Sequence, residues 1–320
     1  MKKVAISFTS YGKEVIDKLN NACLDHGIRP AEPYISTQLE IPLSDWSREM
    51  FEKGCALIFV GATGIAVRAI ADCVKDKLTD PPVIVIDDMG RYVIPLLSGH
   101  AGGGNKLAVT IAELIGAQAV ITTSTDIHEA FSADVFAREN HLNIRNRSGI
   151  RKVSAKAVEG KPVTISIKDY PPKEPVDVIV ADETDSEYSL LLSPRKYTMG
   201  IGTRKGIDPA VAEGYILGIL GDNDIITDDI YAVCTIDIKQ DEPAIRDFCD
   251  KYRLPLITFE ASVLKRAEGD FTSSDFVRQT VGVDNVCERA AMLGAGPGAK
   301  KVLPKQTGEG ITVAVYERRV

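Results

Sequence analysis

Short β-branched runs alternate with amphipathic stretches along most of the chain, and that alternation leaves few folds open. Residues 4–8 (VAISF) read as a strand, 12–26 as a helix and 56–60 (ALIFV) as a strand again. A helix over 64–75 follows, then strands over 83–86 and 92–97, a helix over 105–115 and a closing strand over 119–123. Strand after helix after strand predicts a doubly wound, Rossmann-like α/β domain ending near Asp126. A second such unit begins at Tyr197, with strands over 197–202, 231–238, 256–259, 302–304 and 311–316. Its helices cover 208–220, where Asp208 caps and Pro209 opens the first turn, and 243–252. Between the two lies a smaller α+β region with a helix over 131–139, strands over 163–167, 176–180 and 190–192, and a break at YPPKEP, residues 170–175. The division expected is 1–126, 127–196 and 197–320.

A chain of 320 residues with 44% hydrophobic and 26% charged side chains is long enough for such a multi-domain soluble protein. The net charge of -7 argues against a nucleic-acid partner, and the basic stretch at 141–152 reads as a solvated face. No run reaches the roughly 20 apolar residues that span a bilayer. The N-terminus, MKKVAISFTS, reads as a first strand, so a cytoplasmic location is expected. The six cysteines show no CxxC spacing, which predicts buried reduced thiols, with no zinc site or redox dithiol.

Three strand-to-helix junctions are marked by glycine: Gly61-Ala62-Thr63-Gly64, residues 99–104, and residues 200–206 (GIGTRKG). Ligands in open α/β sheets bind beyond strand carboxyl ends, and helix N-termini there present N–H groups to anions. The three turns together therefore predict a cleft for an anionic ligand. Neither nucleotide pattern is met. GHAGGGNK (99–106) brings its lysine one residue late for a GxxxxGK[ST] loop, and Leu107 stands where a hydroxyl is needed. GIGTRKG is only a loose relative of the dinucleotide fingerprint.

His100, inside the second turn, is the first candidate for proton transfer. Asp126, which ends TTSTD after another strand, is a candidate for the same cleft. The ligand-holding candidates are Gly61, Thr63, Gly64, Arg68, Ser98, Gly99, Gly102, Gly103 and Gly104 in the first domain, with Gly202, Arg204, Lys205 and Lys305 in the second. Asp87-Asp88 reads as a turn before Tyr92 rather than as an acid/base pair.

The strings GATGIAVRAIA (61–71), PLLSGHAGGGNKLA (95–108) and AVITTSTD (119–126) resemble the N-terminal domain of the cobalt-precorrin-5A hydrolase family. GIGTRKG (200–206), VGVDNVCERAAML (281–293) and VLPKQTGEGITVAV (302–315) resemble its C-terminal domain, and FSADVFARENHL (131–142) fits its variable centre. Thr203 departs from the cysteine expected in the family's GIGCR-like string, so no essential thiol is implied there. The resemblance implies hydrolytic opening of a δ-lactone on a ring-contracted cobalt macrocycle of anaerobic cobalamin biosynthesis, with loss of acetaldehyde. For that reaction His100 would do the acid/base work, Asn105 or Asp126 would orient it, and backbone N–H groups around Gly102–Gly104 would stabilise the oxyanion. The cobalt would arrive with the substrate, so the resemblance implies neither a cofactor nor a protein metal site. Neighbouring pathway enzymes and a second copy of the chain stay open as partners. Two other readings also stay open: a non-catalytic tetrapyrrole carrier or scaffold, and an NAD(P)-dependent oxidoreductase using GIGTRKG.

Overall fold

The computed structural model describes residues 1–100, 102–128, 130–167, 175–273 and 282–319. They form two compact units, Met1–Ser193 and Pro194–Val320.

The first unit holds a six-stranded sheet of β1 (Lys3–Ser7), β2 (Glu32–Ile35), β3 (Ala56–Val60), β4 (Val83–Ile86), β5 (Tyr92–Leu97) and β6 (Gln118–Ala119), in the order β2-β1-β3-β4-β5-β6. Every residue of β3 and β4 is buried, as parallel strands covered on both faces must be. Alternate side chains serve opposite faces. Ile58, Val60, Ile84 and Ile86 pack against α1 (Ser10–Asp25) and α4 (Gly104–Ile115). Leu57, Phe59, Val83 and Val85 pack against α2 (Leu43–Glu52) and α3 (Thr63–Ile70).

β1 to β4 run parallel, but β5 pairs antiparallel with β4, placing Leu97 beside Val83 and Val93 beside Ile86. The reversal is made by the Asp87–Tyr92 turn. Asp87 Oδ1 accepts from the Arg91 and Tyr92 N–H groups at 2.7 and 2.6 Å, and Gly90 takes the left-handed φ of +66° that a side chain disfavours. Asp88 instead accepts from Thr9 Oγ1 at 2.6 Å. β6 then runs parallel to β5, so β5-α4-β6 is a second, oppositely directed βαβ unit on the edge of the sheet.

Of the small region expected over 127–196, residues 127–193 lie in the same compact unit and carry a second sheet. β7 (Leu142–Ile144), β8 (Ile165–Ile167), β9 (Val176–Val180) and β10 (Tyr188–Pro194) take the order β7-β10-β9-β8. α6 (Ala133–Glu139) and α7 (Arg147–Val158) cover it through Ala133, Ala137, Ile150 and Val153. A one-turn helix, α5 (Ser124–Ile127), joins the two layers.

In the second unit β11 (Tyr197–Thr203), β12 (Ile230–Ile236), β13 (Leu256–Phe259), β14 (Lys300–Gly308) and β15 (Ile311–Glu317) form a sheet ordered β13-β12-β11-β15-β14. α8 (Pro209–Gly221) and α9 (Pro243–Lys251) cover one face. α10 (Ala261–Arg266) and α11 (Cys287–Ala295) lie on the other. Asp208 caps α8 as read from sequence, its side chain accepting from the Ala210 N–H at 2.8 Å.

Mixed α/β architecture is thus found throughout, with several boundaries moved. The helix expected over 64–75 stops at Ile70, and the strand expected over 119–123 shortens to Gln118–Ala119. β14 is longer than expected because Pro304 sits in an edge strand, where its missing N–H is tolerated at a register shift. β2, α2, β7 and α7 were not anticipated. Residues 170–174 of the YPPKEP segment lie outside the described residues. Among the described residues no helix is long and apolar enough to cross a membrane.

Candidate active site

The reversed direction of β5 decides which candidates can meet. Gly61 follows Val60, which pairs with Ile86 at the carboxyl end of β4. Ser98 follows Leu97, which pairs with Val83 at its amino end. The first and second glycine turns therefore sit at opposite ends of one sheet, separated by the length of β4, about 10 Å. The single cleft expected for them does not form. Gly61, Thr63, Gly64 and Arg68 stand apart from His100. There Arg68 folds back over its own helix, its Nη1 3.3 Å from where a Gly64 Cβ would be, and a Gly61 side chain would meet the Phe8 ring.

The candidates that do meet are His100, Asn105 and Asp126, because β5 and β6 are parallel and both their carboxyl ends open at this edge. His100 Nε2 lies 2.5 Å from Asp126 Oδ2 and 3.0 Å from Thr125 Oγ1. Asn105 donates from Nδ2 to Asp126 Oδ2 at 2.7 Å and to Thr123 Oγ1 at 3.0 Å. With an ionised carboxylate opposite it, Nε2 is the ring nitrogen that carries the hydrogen, an assignment made from the network. On the other side of the ring, Nδ1 is 3.7 Å from Asp134 Oδ1. Asp134 is only 5% exposed and is held in turn by the Ser132 hydroxyl and the Val135 N–H.

The loop that presents His100 is built from its own backbone. The Gly103 N–H donates to the His100 carbonyl at 2.9 Å, Gly104 N–H to Ser98 O at 3.0 Å, and Asn105 N–H to Gly99 O at 2.9 Å. Gly103 has φ +78° and caps α4 in the left-handed conformation. A Cβ on Gly102 would lie 2.6 Å from Ser98 O, and one on Gly99 2.5 Å from Asn105 Oδ1, so close internal packing accounts for both glycines. Of the N–H groups around Gly102–Gly104 expected to stabilise an oxyanion, those of Gly103 and Gly104 are already donated inside the loop. Ser98 is buried with φ +55°, and among the described residues its hydroxyl has no hydrogen-bond partner, so it faces the loop interior.

Arg138 of α6 donates from Nη1 to the His100 carbonyl, so the second layer clamps the loop of the first. Between them opens a pocket of about 740 Å³ lined on its polar side by His100, Asn105, Asp126, Lys106, Thr110, Arg138 and Glu139, the last of which pairs with Arg138 at 3.6 Å and Lys106 at 3.9 Å. Val109, Ala119, Ile121, Ile127 and Val135 supply an apolar wall, and Val109 and Ile127 are exposed. Thr125, Asp134 and Arg138 were missed from sequence. The only signal for the latter two was their place in FSADVFARENHL, where an acid and a base four residues apart also read as an ordinary helix face.

The candidates of the second unit have different surroundings. A Cβ on Gly200 would lie 1.8 Å from the Cys287 carbonyl oxygen of α11, and one on Gly202 2.6 Å from Thr312 Oγ1. GIGTRKG is therefore glycine-rich so that α11 and β15 can approach β11, and its resemblance to a dinucleotide turn has a packing cause. Arg204 and Lys205 are exposed, and the Arg204 guanidinium lies over Gly310. The N–H of Gly206 donates to buried Glu242 at 2.9 Å. Burial raises the Glu242 pKa, but Lys239 and that N–H more than offset it, leaving it below the ordinary glutamate value. Lys305 contributes its backbone N–H, at 3.2 Å, to fully buried Glu288. Glu288 also accepts from Thr272 N–H at 2.6 Å, Asn285 Nδ2 at 2.5 Å and Lys301 Nζ at 3.2 Å. Burial raises its pKa, and these donors together hold it below the usual range. This carboxylate fastens α11 to β14.

All six cysteines are free and buried. Burial pushes the Cys287 thiol up to about 11 and Cys234 to about 12, which keeps them protonated and unreactive at neutral pH. Thr203, where the family string would carry cysteine, has a buried hydroxyl with no hydrogen-bond partner among the described residues.

With this geometry in view, the chain can be compared with known proteins. The family described as Cobalamin synthesis G N-terminal matches residues 45–126, and Cobalamin synthesis G C-terminus matches residues 197–316. The chain is 32% identical over 273 residues to the cobalt-precorrin-5A hydrolase of Salmonella typhimurium, covering 77% of this chain and 78% of that relative. It belongs to the cobalt-precorrin-5A hydrolase family. The enzyme of that name from Priestia megaterium is 29% identical over 298 residues, covering 83% of this chain and 79% of the relative. A crystal structure of a cobalamin biosynthesis protein G homologue from Sulfolobus solfataricus is 21% identical with a TM-score of 0.44, covering 99% of this chain and 97% of that one. The family's N-terminal match ends at Asp126, the last of the three clustered candidates, and leaves α6 outside it.

Proposed function

We propose that this chain hydrolyses the δ-lactone of cobalt-precorrin-5A and releases acetaldehyde to give cobalt-precorrin-5B, and that it does so in the pocket between the 98–105 loop, the 123–126 segment and α6. The observation that carries the reading is the hydrogen-bonded His100–Asp126–Asn105 cluster on the polar wall of that pocket. Lactone opening needs a group to take a proton from water and a donor or cation for the developing oxyanion. The first need is met by the imidazole–carboxylate pair. Lys106 and Arg138 line the same pocket and meet the second, in place of the loop N–H groups. The substrate is a macrocycle with an apolar ring edge and acetate and propionate carboxylates. The apolar wall suits the former, and the two cations suit the latter. The cobalt enters as part of that substrate.

The test is anaerobic incubation of the purified protein with the lactone, trapping acetaldehyde. Wild type is expected to release it well above the uncatalysed rate, and His100→Ala combined with Asp126→Ala to release it at no more than about a thousandth of that rate. A protein that binds the macrocycle and releases no acetaldehyde is a carrier, and the reading fails. A folded double variant that keeps wild-type activity moves the chemistry out of this pocket.

A further inference from the structure

The two oxygens of Asp126 have different environments. Oδ2 accepts from both His100 Nε2, at 2.5 Å, and Asn105 Nδ2, at 2.7 Å. Among the described residues no donor reaches Oδ1, and the Asp126 side chain is 39% exposed where that of His100 is 15% exposed. The histidine ring keeps one nitrogen without a hydrogen bond among the described residues, Nδ1, and that atom faces a buried carboxylate. Its Nε2 is occupied by Asp126 and Thr125, its Nδ1 faces the buried Asp134 carboxylate at 3.7 Å, and its carbonyl is held by Arg138 and Gly103. Asp134 cannot act in its place, being nearly inaccessible and already accepting two hydrogen bonds.

We infer that Asp126, through Oδ1, is the base of the hydrolysis, and that His100 is a positioning residue that holds Oδ2 and thereby aims Oδ1 into the pocket. The usual order, in which a carboxylate orients an imidazole that meets the substrate, is inverted. The inference rests on the hydrolytic reading above. Water oxygen forms the bond to the lactone carbonyl carbon as its proton passes to Asp126 Oδ1. The acyl C–O bond then breaks with its electron pair leaving on the ring oxygen, and Asp126 returns the proton to that oxygen. One water is consumed, a carboxylic acid and a hydroxyl are formed, and no electron changes hands. Asn105 assists by sharing Oδ2, and Arg138 holds the loop that carries the imidazole through the His100 carbonyl.

Chemical rescue separates the two roles, because a small acid can replace only a missing carboxylate and imidazole only a missing histidine. Asp126→Ala is expected to lower acetaldehyde release about a thousandfold, with formate restoring about tenfold or more. His100→Gln keeps an N–H donor for Oδ2 and is expected to lose no more than about tenfold, and added imidazole is expected not to restore His100→Ala. Circular dichroism establishes that each variant is folded before it is assayed. Failure of formate to restore Asp126→Ala overturns the inference, as does a His100→Gln variant as inactive as Asp126→Ala. Restoration of His100→Ala by imidazole overturns it too, and makes the histidine the base. If wild type leaves the lactone intact, the hydrolase reading falls, a result separate from any difference among variants.

Discussion

At Gly102 an added side chain would strike Ser98 of the same loop, whereas at Gly200 it would strike the Cys287 carbonyl of a helix laid across the sheet. The two glycine-rich strings look alike on paper, but the first follows β5 whereas Gly200 and Gly202 lie within β11 itself. In the first unit the glycines let a short loop fold on itself and turn a histidine toward a carboxylate that lines a pocket. In the second they remove bulk so that α11 can lie directly on β11, with Gly294 likewise meeting Cys234 Sγ. Glycine enrichment signals a close approach, and only the partner in that approach tells whether the site is chemical or architectural. Around 98–104 the partners include a ring nitrogen, two carboxylates and an arginine. Around 200–202 they are a carbonyl, a hydroxyl and a methyl-sized surface.

Three substitutions sharpen that contrast. Gly200→Ala is expected to be the most severe, since its Cβ would lie 1.8 Å from a backbone oxygen that moves only with the whole helix. A loss of about 4 kcal/mol is anticipated from overpacking of this kind. Hydrogen exchange should localise the loosening to α11, β11 and β15 while the amides of β3 and β4 stay protected. Protection unchanged in the second unit would break the packing account. Gly102→Ala should cost less, about 2 kcal/mol, because its clash is with one loop that can shift locally. Its effect on acetaldehyde release should exceed its effect on thermal stability, and the reverse ranking would argue that the loop is merely structural. Smallest is Thr203→Val, which removes a buried hydroxyl that bonds to nothing among the described residues. It should stabilise the protein by about 1 kcal/mol in urea unfolding and leave turnover unchanged. Lost activity would mean that this hydroxyl meets a ligand.

Much of the fold was legible where burial imposed a clear pattern. β3, β4, β5 and β13 begin and end where their apolar runs do, because both faces of each are at least partly packed. The elements that escaped are those with mixed environments. β2 is an edge strand reading Glu-Pro-Tyr-Ile, half exposed, with no run to recognise. α7 carries Arg147, Arg151, Lys152 and Lys156 and reads as a solvated stretch, although Ile150 and Val153 supply its buried stripe. α2 has no side-chain cap at its start, so only the Trp46–Met50 spacing announced it. Within the site, His100 and Asp126 were readable from turn chemistry and strand ends, and Asn105 from the reaction that the family resemblance implies. Their grouping with Gly61–Arg68 was not sound, and the sequence already held the reason. A hairpin over residues 87–92 reverses the next strand, and a reversed strand opens its carboxyl end on the opposite edge. Asp134 and Arg138 were illegible because they arrive from a different layer, and no local spacing marks a long-range contact.

The clamp from α6 also sets an order of assembly. Asp126 lies 26 residues beyond His100, and Arg138 lies 38 residues beyond it. A nascent chain that has left the ribosome only as far as β6 carries all six strands of that sheet, yet it still lacks the acid and the arginine that grip the histidine loop. Competence for chemistry therefore arrives a step later than a folded core, when the helix of the second layer docks. A polypeptide halted at Asp126 would carry every member of the reactive trio and leave the histidine loop without its clamp.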